Sequence, residues 1–109
     1  MKEARIKKLQ EFLKEDPNDP FLIYALAGEY LEKDPQKAIK QYEFLLEKHE
    51  DYFATYYHAA NLYALLGDNT KAEETYKKGM EICQKLGEHH AYSELQSAYN
   101  NFLFDTDDL

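Results

Sequence analysis

Tryptophan is absent from the 109 residues, cysteine occurs once, proline three times and glycine four times. With Cys83 alone, no intramolecular disulfide can form, so the fold must rest on a packed core. The shortage of proline and glycine leaves helix formers in excess of turn formers throughout the chain. Positive charge is also short: 13 Lys and Arg stand against 21 Asp and Glu, a net charge of −8. That balance opposes binding to a phosphate backbone or an anionic membrane surface, so neither nucleic acid nor membrane is an expected partner. The stretch from Met1 to Lys8 is basic, but no apolar run of signal-peptide or transmembrane length follows it, and the expected location is cytoplasmic.

The residues present are 44% hydrophobic and 31% charged, a globular composition in which Ala, Leu, Glu, Lys and Tyr dominate. An all-α fold follows, and the length suits one domain with a core large enough to need neither metal nor disulfide.

Residue types recur along the chain. An offset of 34 carries Ala38 to Ala72, Tyr42 to Tyr76 and Leu46 to Met80, laying KAIKQYEFLL on KAEETYKKGM. Upstream an offset of 33 carries Ile23 to Tyr56, Tyr24 to Tyr57, Ala27 to Ala60 and Tyr30 to Tyr63. The difference is one residue in a loop, since Gly67 in LLGDN has no counterpart in EKDPQ, and loops absorb such changes most easily. The offset of 33 also links Ile6, Leu9, Phe12 and Leu13 to Ile39, Tyr42, Leu45 and Leu46, which makes the N-terminal segment a half repeat. Tyr92, Leu95 and Tyr99 repeat the spacing of Ile23, Leu26 and Tyr30, which makes a second half repeat at the other end.

About six helices are predicted, over residues 2 to 15, 20 to 33, 35 to 48, 53 to 66, 69 to 86 and 89 to 104. Asp19 before Pro20 and Asp34 before Pro35 each set a capping carboxylate ahead of a proline suited to the first helical turn. Gly67 and Gly87 punctuate the later helices. Apolar residues fall at three and four spacing in each, as in Ile6, Leu9, Phe12 and Leu13, so each helix has one face to bury. Stacked hairpins closed by half repeats bury such faces together. The divisions are an N-terminal half repeat (1 to 19), repeat 1 (20 to 52), repeat 2 (53 to 86) and a C-terminal capping helix and tail (87 to 109).

This pattern resembles the tetratricopeptide repeat: a large residue, then a Leu and a small residue together, then Tyr on the first helix, and Ala, an aromatic and a small residue on the second. Repeat 2 shows Tyr56, Ala59 with Ala60, and Tyr63, followed by Ala72, Tyr76 and Gly79. Repeat 1 shows Ile23, Leu26 with Ala27, and Tyr30, followed by Ala38, Tyr42 and Leu45. Ile23 and Tyr56 replace the usual Trp, Ala59 replaces Leu, and Leu45 stands at a small position. The layout, including the closing GEHHAYSELQSAY, is similar to small stand-alone bacterial members of the family, a group to which no biochemical activity is assigned. The resemblance implies a right-handed helical-hairpin solenoid whose concave face, formed by the first helix of each repeat, holds a peptide or protein segment.

On that pattern the groove residues are Phe21, Tyr24, Gly28 and Leu31 in repeat 1, and Ala54, Tyr57, Asn61 and Ala64 in repeat 2. Rigid aromatics offer contact area at small entropic cost, and the Asn61 amide can bond a peptide backbone. The alternative is that Phe21, Tyr24 and Leu31 pack against the flanking half repeats. For Gly28, which costs about 1 kcal/mol relative to Ala inside a helix, close packing of a neighbouring helix is preferred to close approach of a ligand. Relatives that hold acidic chaperone tails use a Lys and two Asn where Tyr24, Gly28 and His58 stand here, so that clamp is not expected.

Neither metal, cofactor nor catalysis is expected. His49, His58, His89 and His90 have no ligand-like spacing to Cys83 or to one another. Cys83, beside Ile82 and near Met80, reads as a half-buried structural thiol. Glu73, Glu74, Asp107 and Asp108 read as a solvated face and a frayed tail, and no nucleophile with its base or phosphate-binding glycine loop can be assembled. The expectation is a non-catalytic scaffold for a protein or peptide partner. The alternative is a self-associating subunit that uses Tyr92, Tyr99, Phe102, Leu103 and Phe104 on its last helix to form homo-oligomers.

Overall fold

The computed structural model describes residues 2 to 106, so Asp107 and Asp108 lie outside the described part. Six helices follow one another and no strand occurs among the described residues: α1 (Lys2–Glu15), α2 (Pro20–Tyr30), α3 (Pro35–Lys48), α4 (Ala54–Leu65), α5 (Asn69–Leu86) and α6 (His89–Thr106). None is long and apolar enough to cross a membrane. The chain forms two compact units, Met1–His49 and Glu50–Leu109.

The predicted starts agree with the caps. The Phe21 N–H donates to Asp19 Oδ1 at 2.9 Å and the Lys37 N–H to Asp34 Oδ1 at 3.2 Å, with Pro20 and Pro35 opening the helices behind them. A third cap, Asp68, accepts from the Lys71 N–H at 3.1 Å to begin α5. Gly67 at φ 87° and Gly87 at φ 74° are the left-handed stops. After each, the chain closes a 6→1 bond, Asp68 N–H to the Tyr63 carbonyl at 2.9 Å and Glu88 N–H to the Cys83 carbonyl at 2.8 Å. Helix α2 ends at Tyr30, short of the predicted residue 33. The Leu31 N–H reaches back only to the Gly28 carbonyl at 3.4 Å, and Asp34, ahead of Pro35, has left helical geometry.

In the first unit, α2 and α3 form a hairpin whose buried residues are Ile23, Leu26, Ala27, Ala38, Ile39, Tyr42 and Leu45. Helix α1 lies against α2, and it buries no residue completely. Ile6, Leu9 and Leu13 are half-buried and Phe12 is exposed, because the contact with α2 covers one side of the apolar stripe. Ion pairs supplement that contact: Arg5 to Glu29 at 3.0 Å, Lys33 to Glu3 at 3.3 Å and Lys2 to Glu32 at 3.5 Å.

In the second unit, α4 and α5 form the hairpin and α6 packs against both. Ala60, Ala72 and Tyr76 are buried like their counterparts Ala27, Ala38 and Tyr42 in the first unit. The closest approach is at Gly79, where a Cβ would stand 2.5 Å from Tyr56 Cβ and 3.0 Å from Leu95 Cδ1. Glycine at this register position is what lets α4, α5 and α6 meet. Gly28, by contrast, has nothing within 4 Å of an added Cβ. The expectation of close helix packing at Gly28 is therefore corrected: that part of α2 lies open. Cys83 is completely buried, beyond the half burial expected, and its environment raises the thiol pKa, through desolvation first and the charge of Glu88 second.

Candidate functional site

Tyr57, Asn61, Ala64 and Leu65 follow one face of α4 at three and four spacing, and together they form one wall of a cleft of about 720 Å³. Helix α6 supplies the opposite wall through Ser93, Ser97 and Asn101 on one row and Glu94, Ala98 and Phe102 on the next, with Asp105 and Thr106 at its end. Asn69 and Tyr76 of α5 complete the lining. The cleft lies wholly within the second unit.

Its chemistry is set by one partly buried hydrogen bond. The Tyr76 hydroxyl donates to Asn61 Oδ1, which fixes the amide so that its carbonyl end is occupied and its NH2 end is the group left to donate. Tyr76 is almost fully buried, and its pKa is raised by desolvation and secondarily by Tyr57, so the phenol stays protonated and keeps its role as donor. Phe102 lies against the Tyr76 ring at a centroid distance of 5.4 Å, and Tyr99 at 5.7 Å. An aromatic layer thus stands behind the amide. Tyr57, 38% exposed, sits edge-on to His58 with ring centroids 5.4 Å apart. Burial lowers the His58 pKa, an effect that Glu94 opposes.

Three of the four groove residues predicted on α4, Tyr57, Asn61 and Ala64, line this cleft, while Ala54, at the helix start, does not. On α2, Phe21 is 60% exposed and so is not covered by a flanking half repeat. Tyr24 is half-buried with its ring 6.3 Å from that of Tyr42, Leu31 is half-buried at the helix end, and Gly28 is open. A cleft in the first unit, lined by Lys2, Ala4, Arg5, Lys8 and Glu29, contains none of these four.

The residues proposed for self-association divide. Phe102 is buried, and Tyr99 is half-buried with its hydroxyl donating to Glu73 Oε2 at 2.8 Å, so both belong to the packing of α6 on α5. Tyr92 is half-buried, whereas Leu103 and Phe104 are exposed. The wall from α6 is what the sequence reading missed. The signal was available: the offset of 36 that carries Tyr56 to Tyr92 and Tyr63 to Tyr99 also carries Tyr57 to Ser93 and Asn61 to Ser97.

Among the described residues no group of three or more His, Cys, Asp or Glu side chains could hold a metal ion. No protein-family model matches the chain, and no curated protein does. Solved structures do match. A crystal structure of a tetratricopeptide repeat domain protein from Salinibacter ruber matches at a TM-score of 0.74 with 38% identity, covering 78% of this chain and 96% of that one. A solution NMR structure of a tetratricopeptide repeat domain protein from the same organism gives 0.75 and 39%, covering 79% and 88%. The crystal structure of MamA protein gives 0.70 and 26% over 91% of this chain, which spans 54% of MamA. Identity at this level over nearly the whole of the Salinibacter ruber domain, with Ala27, Ala38 and Tyr42 of the first repeat and Ala60, Tyr63, Ala72 and Tyr76 of the second buried at pattern positions, shows that this chain belongs to the tetratricopeptide repeat family.

Proposed function

We propose that this protein is a non-catalytic interaction module that holds a peptide or protein segment along the groove-facing sides of its repeats. The family fold supports protein–protein interaction in general. The narrower reading rests on the α4–α6 cleft, where Tyr57 offers an exposed aromatic face beside an Asn61 amide oriented by Tyr76. An amide held with its NH2 free donates to a peptide carbonyl without first losing rotational freedom, which is the benefit of preorganisation. Phe21, Tyr24 and Gly28 of α2, with Leu31 just beyond its end, hold the positions equivalent by the repeat offset of 33. The test is capture of binding partners from native cell extract by the intact chain and by the Tyr57→Ala, Asn61→Ala double variant. Partners lost by the variant, with its helical circular dichroism unchanged, support the reading; equal retention by both proteins defeats it.

A second reading, homo-oligomerisation through the end of α6, is favoured by the exposure of Phe104 (74%) and Leu103 (40%). Sedimentation equilibrium that finds only monomer at high concentration rejects it.

A further inference from the structure

The cleft lining holds two carboxylates, Glu94 and Asp105, and no lysine or arginine. Both carboxylates are on exposed residues of α6, eleven positions apart, a separation of about 16 Å at the helical rise of 1.5 Å per residue. Glu94 Oε2 lies 3.5 Å from His90 Nε2, an imidazole and not a permanent cation. Between the two acids the wall is small or polar, Ser97, Ala98 and Asn101, and across from it stand Tyr57, Asn61 and the 79% exposed Leu65. The net charge of −8 strengthens the negative field around such a cleft.

From this arrangement we infer that the α4–α6 cleft selects an extended peptide segment carrying two basic side chains about five residues apart, at about 3.3 Å per residue, with an apolar residue between them. The inference rests on the groove reading above and gives it a ligand class. Each end of the segment places a Lys or Arg against one carboxylate, Asn61 donates to a backbone carbonyl, and the intervening apolar side chain lies on Tyr57 or Leu65. Acidic and phosphorylated segments are rejected, because no cation lines the cleft to offset their charge. Helix α6 is on this account the wall that sets charge preference.

The test presents the full chain to an array of short synthetic peptides of acidic, neutral and basic composition, alongside the Tyr57→Ala, Asn61→Ala variant and a Glu94→Gln, Asp105→Asn variant. Retained peptides are expected to carry paired basic residues at the stated spacing. Neutralising the two carboxylates is expected to weaken those peptides about fivefold and to remove most of the salt dependence of binding, as suits exposed charge pairs. Peptides that need Tyr57 and Asn61 but show no basic preference, or that bind the carboxylate-neutralised variant equally well, overturn the charge inference while leaving the groove reading intact. Absence of binding to any peptide, or binding indifferent to Tyr57 and Asn61, overturns both. Because Glu94 and Asp105 are exposed, their amide variants keep the core, and thermal unfolding confirms that each protein is folded.

Discussion

Gly79 of α5 faces Tyr56 of α4 so closely that a Cβ on the glycine would meet Tyr56 Cβ at 2.5 Å and Cγ at 2.9 Å. Tyr56 cannot easily withdraw. It is almost fully buried, and its hydroxyl donates to the Glu50 carbonyl at 2.8 Å. Alanine ordinarily improves a helix interior by up to about 1 kcal/mol over glycine, but overpacking a core costs about 1–3 kcal/mol, and here the second effect wins. Gly79→Ala is expected to destabilise the protein by about 1–2 kcal/mol in urea unfolding. Gly28→Ala meets no atom within 4 Å and is expected to stabilise by about 0.5–1 kcal/mol. Opposite signs at the two glycines are the outcome to look for; equal signs would mean that the contact at Gly79 does not govern.

Thr55, in the first turn of α4, is completely buried, and its Oγ1 has no hydrogen-bond partner among the described residues. A buried hydroxyl without a partner forfeits its hydration at a cost of about 1–3 kcal/mol, and valine has nearly the same shape without that group. Thr55→Val is expected to raise stability by about 1 kcal/mol, read as a higher urea midpoint at unchanged slope. A fall in the midpoint would show that the hydroxyl is bonded in solution.

Stability is expected to fall at both ends of the pH range, for different groups. Burial raises the pKa of Tyr42 in the first unit and of Tyr56 and Tyr76 in the second above the ordinary 10.0. Their contribution is therefore complete below pH 10 and is lost as pH rises towards the folded-state values, because the unfolded chain releases its phenolic protons first. His58 has the opposite shift, lowered from 6.5 mainly by burial, so its contribution is present above that pH and is lost as pH falls through the lowered value. Tyrosinate absorbance rising together with loss of helical circular dichroism checks the alkaline limb. Titration of these phenols at ordinary pH in a folded protein would contradict it. A His58→Gln variant with a flatter acid limb checks the other.

The elements that define the hairpins were legible because their signals are local. Asp19 with Pro20, Asp34 with Pro35, and the two left-handed glycines mark helix ends by short-range chemistry, and all four act where they were read. The offset of Ala38 to Ala72 and Tyr42 to Tyr76 located core positions for the same reason: equivalent register gives equivalent burial. What escaped depends on partners distant in sequence. Gly28 and Gly79 are alike as residues, and only the approach of Tyr56 and Leu95 makes the second one indispensable. Phe102 resembles Phe104 on paper, yet Tyr76 and Tyr99 surround the first and leave the second 74% exposed. On the cleft, α4 was readable from the repeat pattern, while treating α6 as a cap hid Ser93 and Ser97, which stand in the same register as Tyr57 and Asn61.

That register gives the Tyr76–Asn61 hydrogen bond two separable consequences. Removing the hydroxyl in Tyr76→Phe leaves the ring to pack on Phe102 but deprives Asn61 Oδ1 of its donor, a loss of about 1 kcal/mol in stability. The amide is then free to rotate, and half of its orientations turn the carbonyl oxygen to where the NH2 stood. Binding of a peptide carbonyl at Asn61 is expected to weaken about twofold, the factor by which the competent orientation of the amide is depopulated. Tyr57→Ala is expected to weaken the same peptide through lost contact area while leaving Asn61 locked. The two effects separate by a double-mutant cycle. Tyr76→Phe should add nothing once Asn61 is alanine, and it should add to Tyr57→Ala nearly in full. If Tyr76→Phe weakens binding equally whether or not Asn61 is present, the hydroxyl acts on the aromatic layer and not through the amide.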